Sequence, residues 1–350
     1  MIIAYVVLFI LFLIDCKPQF VKQGINASFL SKEQTTPIKG LFVILVFFRH
    51  FRGYVDMDHG VLNHLFVMLD SRSSQLIVTM FFFYSGYGIF EQLKRNGEEY
   101  SKNFVQHRII PTYVNFAGCV LIYFLICTIK GLSFSAREIV LSFLGWNDDF
   151  GNSNWFMFVT FGMYLLFYLS FVIQCKKTML NPILFNVLTM AFIVFLFMYK
   201  KHYWYNTILC FNLGMWYSYF RENVEAFLST SKNYLIVLAI SLFAFIVAFF
   251  LIETQSPLFI IKALLFSLSF VLIQMKFSFG KSRILSRLGK HVFSVYMLQR
   301  IPFMLLTELN LNRNIYLFFI ITLFLTMLIS MVYDYIFAFV STRILRRTAK

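Results

Sequence analysis

The feature of this sequence that most limits its fold is a succession of apolar runs, each about 17–25 residues long. Wound as a helix, a run of this length crosses the ~30 Å hydrocarbon core of a bilayer. A soluble protein does not accommodate so many runs, since 59% of the residues are hydrophobic and only 13% are charged. The sequence therefore predicts an all-α integral membrane protein, a single bundle of about ten or eleven transmembrane helices.

The predicted transmembrane segments are 1–14, 40–55, 75–90, 109–129, 154–174, 183–199, 203–220, 234–252, 258–275, 291–306 and 315–340. The first lacks the basic start and the cleavage site of a signal peptide, so we expect a retained short helix. Residues 56–74 and 130–153 are expected to form long outer loops. We predict an N-terminal helix and cytoplasmic loop (1–37), a transmembrane domain (38–342) and a basic tail (343–350).

The net charge of +15 does not indicate a nucleic-acid partner, because the basic residues lie in short loops and form no continuous stripe. Most of the 31 Lys and Arg residues fall in loops predicted on the side of the C-terminal tail. Loops rich in Lys and Arg stay in the cytoplasm, so the C-terminus is predicted to be cytoplasmic.

The five cysteines include no CxxC pair and mostly lie in or beside apolar segments; they are Cys16, Cys119, Cys127, Cys175 and Cys210. This pattern predicts small buried side chains rather than a disulfide framework or a metal site.

The second predicted helix carries polar residues that are costly in lipid. Lys39 and His50 are eleven residues apart, which places them within about 20° of the same helix face and about 16 Å apart along the axis. Histidine can accept and return a proton near neutral pH, as acyl transfer to a hydroxyl requires. The alternative is a histidine satisfied by a neighbouring helix, with Arg49 and Arg52 reaching the outer headgroups. The spacing alone does not decide between the two interpretations.

The third predicted helix ends in a run of small and aromatic residues that includes Ser85, Gly86 and Gly88. Small residues let helices approach closely, so helix packing is the simplest interpretation. Pro111 suits the first turn of the next helix, and Arg108 before it is typical of a cytoplasmic boundary.

These motifs occur together in a recognisable order. The order is Lys39-Gly with His50, Phe-Phe-Tyr-Ser85-Gly-Tyr87-Gly, Arg108-Ile-Ile-Pro111, Asn154-Trp155-Phe156, Asn212-Leu-Gly-Met215 and Leu288-Gly-Lys-His-Val-Phe-Ser-Val-Tyr296. From about residue 38 to the last helix, the chain resembles the acyltransferase 3 family, membrane-bound O-acyltransferases of bacterial surface polysaccharides.

The resemblance implies transfer of an acetyl or related short acyl group from cytoplasmic coenzyme A to an outward-facing sugar hydroxyl. It implies a multi-pass protein of the bacterial inner membrane, with acetyl-CoA or another acyl-CoA as co-substrate and no bound cofactor. The expected partners are the lipid bilayer, acyl-CoA and a glycan acceptor; the oligomeric state, a homo-oligomer included, stays open.

The resemblance implies that His50 corresponds to the essential histidine of the family and Lys39 to its basic partner. These are the two expected catalytic residues. His50 is either a general base or a transient acyl carrier. The residues expected to bind coenzyme A are Lys39, Arg108, Ser85 and Tyr87. The residues expected to bind the sugar are Arg52, Asn154 and Trp155, although for Trp155 a place in the interfacial aromatic belt is an equal alternative.

The chain departs from the family pattern in three places. Lys39 replaces a more frequent Arg, only His107 and Arg108 stand where the family has several Arg residues, and Gln299 occupies the last position of a Tyr-x-x-His pattern. Two other function classes stay open: a transporter or flippase for a lipid-linked glycan, and a sensor or scaffold without chemistry. Against transport, no pair of Gly/Pro-interrupted helices recurs in two halves of the chain.

Overall fold

The computed structural model describes residues 2–16, 18–22, 24–56, 61–172, 180–279 and 282–348. The helices are α1 (Ile2–Cys16), α2 (Lys32–Phe51), α3 (Val61–Ser73), α4 (Leu76–Lys102), α5 (Ile110–Ile129), α6 (Ala136–Phe143), α7 (Trp155–Phe167), α8 (Leu180–Tyr199), α9 (Leu209–Tyr219), α10 (Arg221–Leu228), α11 (Ser231–Leu251), α12 (Phe259–Lys276), α13 (Arg283–Lys290), α14 (Val292–Leu298), α15 (Arg300–Glu308) and α16 (Ile315–Thr348). Two short strands, β1 (Gln19–Phe20) and β2 (Phe277–Ser278), pair antiparallel.

Six of the described helical segments are long and apolar enough to cross a membrane. They are Asn63–Lys102, Val105–Ile129, Leu180–Tyr199, Ser231–Leu251, Phe259–Lys276 and Ile315–Val340. They confirm the predicted class, an all-α membrane protein. Trp155–Phe171 is a shorter apolar helix. The other predicted crossings contain helix but do not meet the same criteria of length and composition, so the count of ten or eleven stays a prediction.

Both segments predicted as long outer loops contain helix, and their place on the outer side stays a prediction. Helix α3 fills most of residues 56–74, and α6 lies within residues 130–153. The Ser135 hydroxyl accepts a hydrogen bond from the Glu138 N–H (3.3 Å), and the Glu138 carboxylate accepts one from the Ser135 N–H (2.8 Å). This capping box starts α6 and holds the pKa of the Glu138 carboxyl below its usual value. Short helices with polar residues produce no long apolar run, so hydropathy does not predict them.

The predicted helix 291–306 is two helices, α14 and α15, which meet at Gln299. Pro302 has no N–H to donate to the Leu298 carbonyl, so the helical hydrogen-bond ladder is interrupted at this point. As a result, Arg300 is the first residue of α15.

The chain divides into two compact units, which are described separately below. Unit 1 comprises residues 1–42, 57–101 and 165–290, and unit 2 comprises residues 43–56, 102–164 and 291–350. Helix α2 contributes its first part to unit 1 and its last part to unit 2. The domain boundaries predicted after residues 37 and 342 stay predictions.

Two glycines bring helices α4 and α9 together in unit 1. A Cβ on Gly86 would collide with the backbone carbonyl of Phe211, and one on Gly214 would collide with that of Phe83. The helix-packing interpretation is therefore confirmed for Gly86. It does not extend to Gly88, where a Cβ would meet no atom within 4 Å.

A second pair of motif glycines joins α2 to α13 in unit 1. A Cβ on Gly40 would collide with the Leu285 carbonyl, and one on Gly289 would collide with the Thr36 carbonyl. The glycine that follows Lys39 thus lets this helix pack directly on a neighbouring backbone.

The start of the chain is tied to α13 within unit 1. The Asp15 carboxylate at the end of α1 accepts hydrogen bonds from the Ser282 hydroxyl and from the Arg283 N–H (3.2 Å). A carboxylate at a helix start satisfies backbone N–H groups that have no partner in the helix. These hydrogen bonds attach the end of α1 to the start of α13 within unit 1.

Helix α14 is held on two sides in unit 2. The Tyr123 hydroxyl on α5 donates to the Met297 carbonyl (2.8 Å). On α16, the Asp334 carboxylate contacts the His291 ring (2.5 Å) and accepts a hydrogen bond from the Ser294 hydroxyl (2.8 Å). These polar contacts fix the position of the helix that leads to Gln299.

Candidate active site

His50 lies one residue before the end of α2, in unit 2. Its ring packs beside that of Tyr296 on α14, with 6.2 Å between the centroids. The Nδ1 atom is buried and has no hydrogen-bond partner among the residues that the structure describes. A histidine satisfied by a neighbouring helix would have a hydrogen bond at this atom, and the described residues provide none.

Two guanidinium groups act electrostatically on the imidazole. They belong to Arg49, the preceding residue, and to Arg300 at the start of α15. The Arg300 Nη1 donates to the carbonyl of Asn152 (3.2 Å), and its guanidinium carbon lies 6.0 Å from the centre of the Tyr54 ring. Arg300 is thereby held beside His50 by a hydrogen bond and a cation–π contact.

Asn154 organises the loop that precedes α7. Its backbone N–H donates to the Asp148 carboxylate (2.6 Å), and its amide group donates to the carbonyls of Asn147 (2.6 Å) and Ser142 (3.2 Å). Its amide oxygen accepts from Asn152 (2.5 Å). Both N–H bonds of the side-chain amide are used within the protein, so Asn154 fixes the loop that presents Asn152.

Trp155 and Arg52 complete the residues predicted to bind the sugar. Trp155 begins α7 and is buried, with its indole edge-on to Phe156 at 5.7 Å. Phe156 in turn packs on Tyr296 at 5.2 Å. Arg52 lies in a short 3-10 turn after α2 and is partly exposed. Sugar binding by these residues stays a prediction.

Lys39 is partly buried in unit 1, where its Nζ lies 5.5 Å from the centre of the Tyr84 ring. The Tyr84 hydroxyl donates to the Gln274 side-chain oxygen (2.7 Å), and the Gln274 amide donates to the Phe29 carbonyl. The aromatic face that contacts the cation is therefore itself fixed by a chain of hydrogen bonds.

The other residues predicted to bind coenzyme A fall in both units. In unit 1, Ser85 is partly buried on α4, and the Tyr87 hydroxyl accepts a hydrogen bond from Arg221 (3.0 Å). Arg221 also pairs with Glu225 (2.8 Å). In unit 2, Arg108 lies in a π-helical turn before α5, and its carbonyl accepts a hydrogen bond from Thr112 (2.6 Å). Coenzyme binding by this set stays a prediction.

Sequence reasoning did not select Arg300 or Asn152. The signal for Arg300 was present, because a cation within the apolar run 291–306 is costly in lipid and indicates a function. Asn152 carries no such signal, since polar residues are common in loops. Only its contacts with Arg300 and Asn154 associate it with His50.

Four of the cysteines, Cys16, Cys119, Cys127 and Cys210, are free and buried, whereas Cys175 lies outside the described residues. The described residues contain no group of three or more His, Cys, Asp or Glu side chains arranged to hold a metal ion.

Comparison with protein families identifies the class of the protein. The model described as an acyltransferase domain, that of the acyltransferase 3 family, matches residues 38–335. The chain belongs to the acyltransferase 3 family. It is a membrane acyltransferase. The match includes α2 from its seventh residue, with Lys39 and His50, and both α14 and α15. The comparisons with curated proteins and with solved structures find no match.

Proposed function

We propose that this acyltransferase moves an acetyl, or a related short acyl group, from cytoplasmic acyl-CoA to a sugar hydroxyl of a surface polysaccharide or of its lipid-linked precursor. The observation that carries the proposal is the buried, unbonded Nδ1 of His50 beside the Arg300 cation. A general base needs a nitrogen that can take a proton, and the Nδ1 of His50 makes no hydrogen bond to a described residue that would prevent this.

The chemistry assigned to His50 is general-base catalysis. The sugar oxygen attacks the carbonyl carbon of the thioester while the imidazole takes the hydroxyl proton. The new C–O bond forms, the C–S bond breaks, and the coenzyme A thiolate leaves and takes the proton from the imidazole. The positive charge of Arg300 would favour the oxyanion that forms between these steps.

On the donor side, Lys39 of unit 1 would contact the coenzyme phosphates through charge-assisted hydrogen bonds; Arg108, Ser85 and Tyr87 are the other residues predicted to bind the coenzyme. The cation–π contact that holds Lys39 over Tyr84 supports this role, because it pre-orders a flexible side chain. Arg52 and Trp155 would contact the sugar, and Asn154 would act through the loop that it fixes. The proposed setting is the bacterial inner membrane, with the C-terminus in the cytoplasm.

The test uses the full-length protein reconstituted in liposomes with membrane glycan extract from the producing bacterium. Radiolabelled acetyl-CoA is added, and label in the glycan fraction is counted. We expect incorporation with the native chain and none with His50→Gln at matched protein content. Absence of label with the native chain would contradict the proposal, and movement of unlabelled glycan across the bilayer would instead indicate a flippase.

A further inference from the structure

Among the unit 2 side chains that have a buried polar atom without a hydrogen-bond partner in the described residues, four belong to His50 and to residues linked with it. These atoms are His50 Nδ1, Asn152 Oδ1, Gln299 Oε1 and Arg300 Nε. Asn152 and Gln299 are completely buried. Buried polar groups are nearly always hydrogen-bonded, so several such atoms in one place indicate partners that the chain itself does not supply.

The four residues are linked through the chain, through two hydrogen bonds to backbone carbonyls and through the Tyr296 ring. Arg300 follows Gln299 in the chain and donates to the Asn152 carbonyl (3.2 Å). The Gln299 amide donates to the Tyr296 carbonyl (2.9 Å), and the Tyr296 ring packs on the imidazole of His50. The break between α14 and α15 therefore presents Gln299 and Arg300 at the same place as the end of α2.

The unbonded atoms differ in their hydrogen-bonding capacity. The amide oxygens of Asn152 and Gln299 only accept, the Nε of Arg300 only donates, and an imidazole nitrogen does either. A ligand that satisfies all of them must offer both donors and acceptors. Neighbouring hydroxyl groups do so, because each hydroxyl donates one hydrogen bond and accepts others. A ligand with a single hydroxyl would leave part of the set unsatisfied.

The charges at this place disfavour a cationic ligand. Arg49 and Arg300 both act on His50, so a cationic group bound here would meet two like charges. A protonated amino sugar would therefore bind less well than the corresponding neutral sugar.

We propose that Asn152, Gln299 and Arg300 bind the hydroxyls next to the one that His50 deprotonates, and so select a polyhydroxylated acceptor that carries no positive charge. The inference rests on the proposed function and adds to it the residues that recognise the acceptor. Gln299, at the position where the family pattern has histidine, is in this view a specificity residue.

The first measurement is binding, which does not depend on turnover. Full-length protein in nanodiscs is titrated with glucose, galactose, mannose, glucosamine and cyclohexanol. We expect at least one neutral hexose to bind. Glucosamine should bind the same site with an affinity at least about five-fold lower, and cyclohexanol should not bind. Gln299→Met keeps the length of the side chain but removes the acceptor oxygen, and should weaken hexose binding about ten-fold.

Two further variants make the result specific. Gln299→Glu keeps an acceptor oxygen but loses the N–H that donates to the Tyr296 carbonyl, so its hexose affinity should lie between those of the native chain and Gln299→Met. Asn115→Leu is the matched control. The Asn115 Oδ1 on α5 is likewise buried without a partner among the described residues. The backbone carbonyl of Asn115 accepts a hydrogen bond from the Tyr333 hydroxyl, and Asn115 is not one of the residues proposed to bind the acceptor. We expect unchanged hexose affinity in this control.

The second measurement separates this inference from the proposed function. With acetyl-CoA present, release of coenzyme A is followed while the hexose is varied. Gln299→Met should raise the KM for the hexose and leave the KM for acetyl-CoA unchanged. Hexose binding that depends on Gln299 without any coenzyme A release would contradict the proposed function alone. Equal binding by the native chain and Gln299→Met, equal binding of cyclohexanol, or no hexose binding would overturn the acceptor site.

Discussion

At the scale of single residues, the environment of His50 combines an unbonded ring nitrogen with two nearby cations. The ring is held against Tyr296, and the Arg300 guanidinium is held by Asn152 and Tyr54. An imidazole positioned in this way, with its Nδ1 unbonded, is suited to exchange a proton with a bound hydroxyl.

Replacing His50 should abolish transfer without unfolding the protein. General-base catalysis contributes about 10²–10⁴-fold, so His50→Ala should lower the acylation rate by at least that factor. His50→Gln keeps hydrogen bonding but not basicity and should be equally inactive. Because Nδ1 makes no hydrogen bond within the described residues, membrane abundance of both variants should stay within a few-fold of the native level. Near-normal acylation by both variants would return His50 to a structural role.

Lys39 provides a second test at this scale, because its charge and its aromatic contact can be varied separately. Lys39→Arg keeps a cation that can stack on Tyr84, so it should retain most activity. Lys39→Gln removes the charge and should raise the KM for the acyl donor several-fold while the KM for the acceptor stays constant. If donor titrations give the same KM for Lys39 and its Gln variant, Lys39 is a boundary residue without a role in donor binding.

At the scale of secondary-structure elements, glycines determine how closely the helices of unit 1 pack. Gly86 on α4 and Gly214 on α9 each face a backbone carbonyl of the other helix. Gly40 and Gly289 do the same for α2 and α13. These four motif glycines thus have a packing function, and they position the helices that carry Lys39, Ser85 and Tyr87.

Adding a methyl group at these contacts should destabilise the protein. Gly86→Ala and Gly214→Ala would force α4 and α9 apart, at a cost of about 1–3 kcal/mol in the free energy of unfolding. Gly88→Ala is the matched control, because a Cβ there meets no neighbouring atom, and it should leave stability unchanged or slightly raised. Thermal unfolding in detergent measures the difference. Equal melting temperatures for Gly86→Ala and Gly88→Ala would exclude the close contact between the helices.

At the scale of the whole molecule, the open question is which side of the membrane each predicted loop faces. Ser133 precedes α6, Ser229 follows α10, and both are exposed. Three predicted crossings separate them, namely 154–174, 183–199 and 203–220. The orientation with the cytoplasmic C-terminus puts Ser133 outside and Ser229 inside.

Cysteine labelling tests this orientation. In a background without the native cysteines and with retained activity, Ser133→Cys should react with a membrane-impermeant maleimide in intact spheroplasts. Ser229→Cys should react only after permeabilisation. The reverse pattern would put Lys39 on the outer side and separate it from cytoplasmic coenzyme A. Labelling of both in intact spheroplasts would contradict the three crossings between them.

The sequence by itself determined the class of the protein, the position of most helices and the common face of Lys39 and His50. These features depend on hydropathy and on the 3.6-residue period, which are properties of neighbouring residues in the chain. The ordered motifs also indicated the family to which the chain belongs.

Only the tertiary structure linked Arg300 to Asn152, brought the charge of Arg300 within range of His50 and paired Gly86 with Phe211. These residues are far apart in the chain, and their proximity depends on which helix faces pack together. A hydropathy pattern marks a face as apolar, but it does not specify the neighbour that the face contacts. For the same reason, the helices within the predicted outer loops became visible only in the folded chain, because short polar helices owe their stability largely to caps and tertiary contacts.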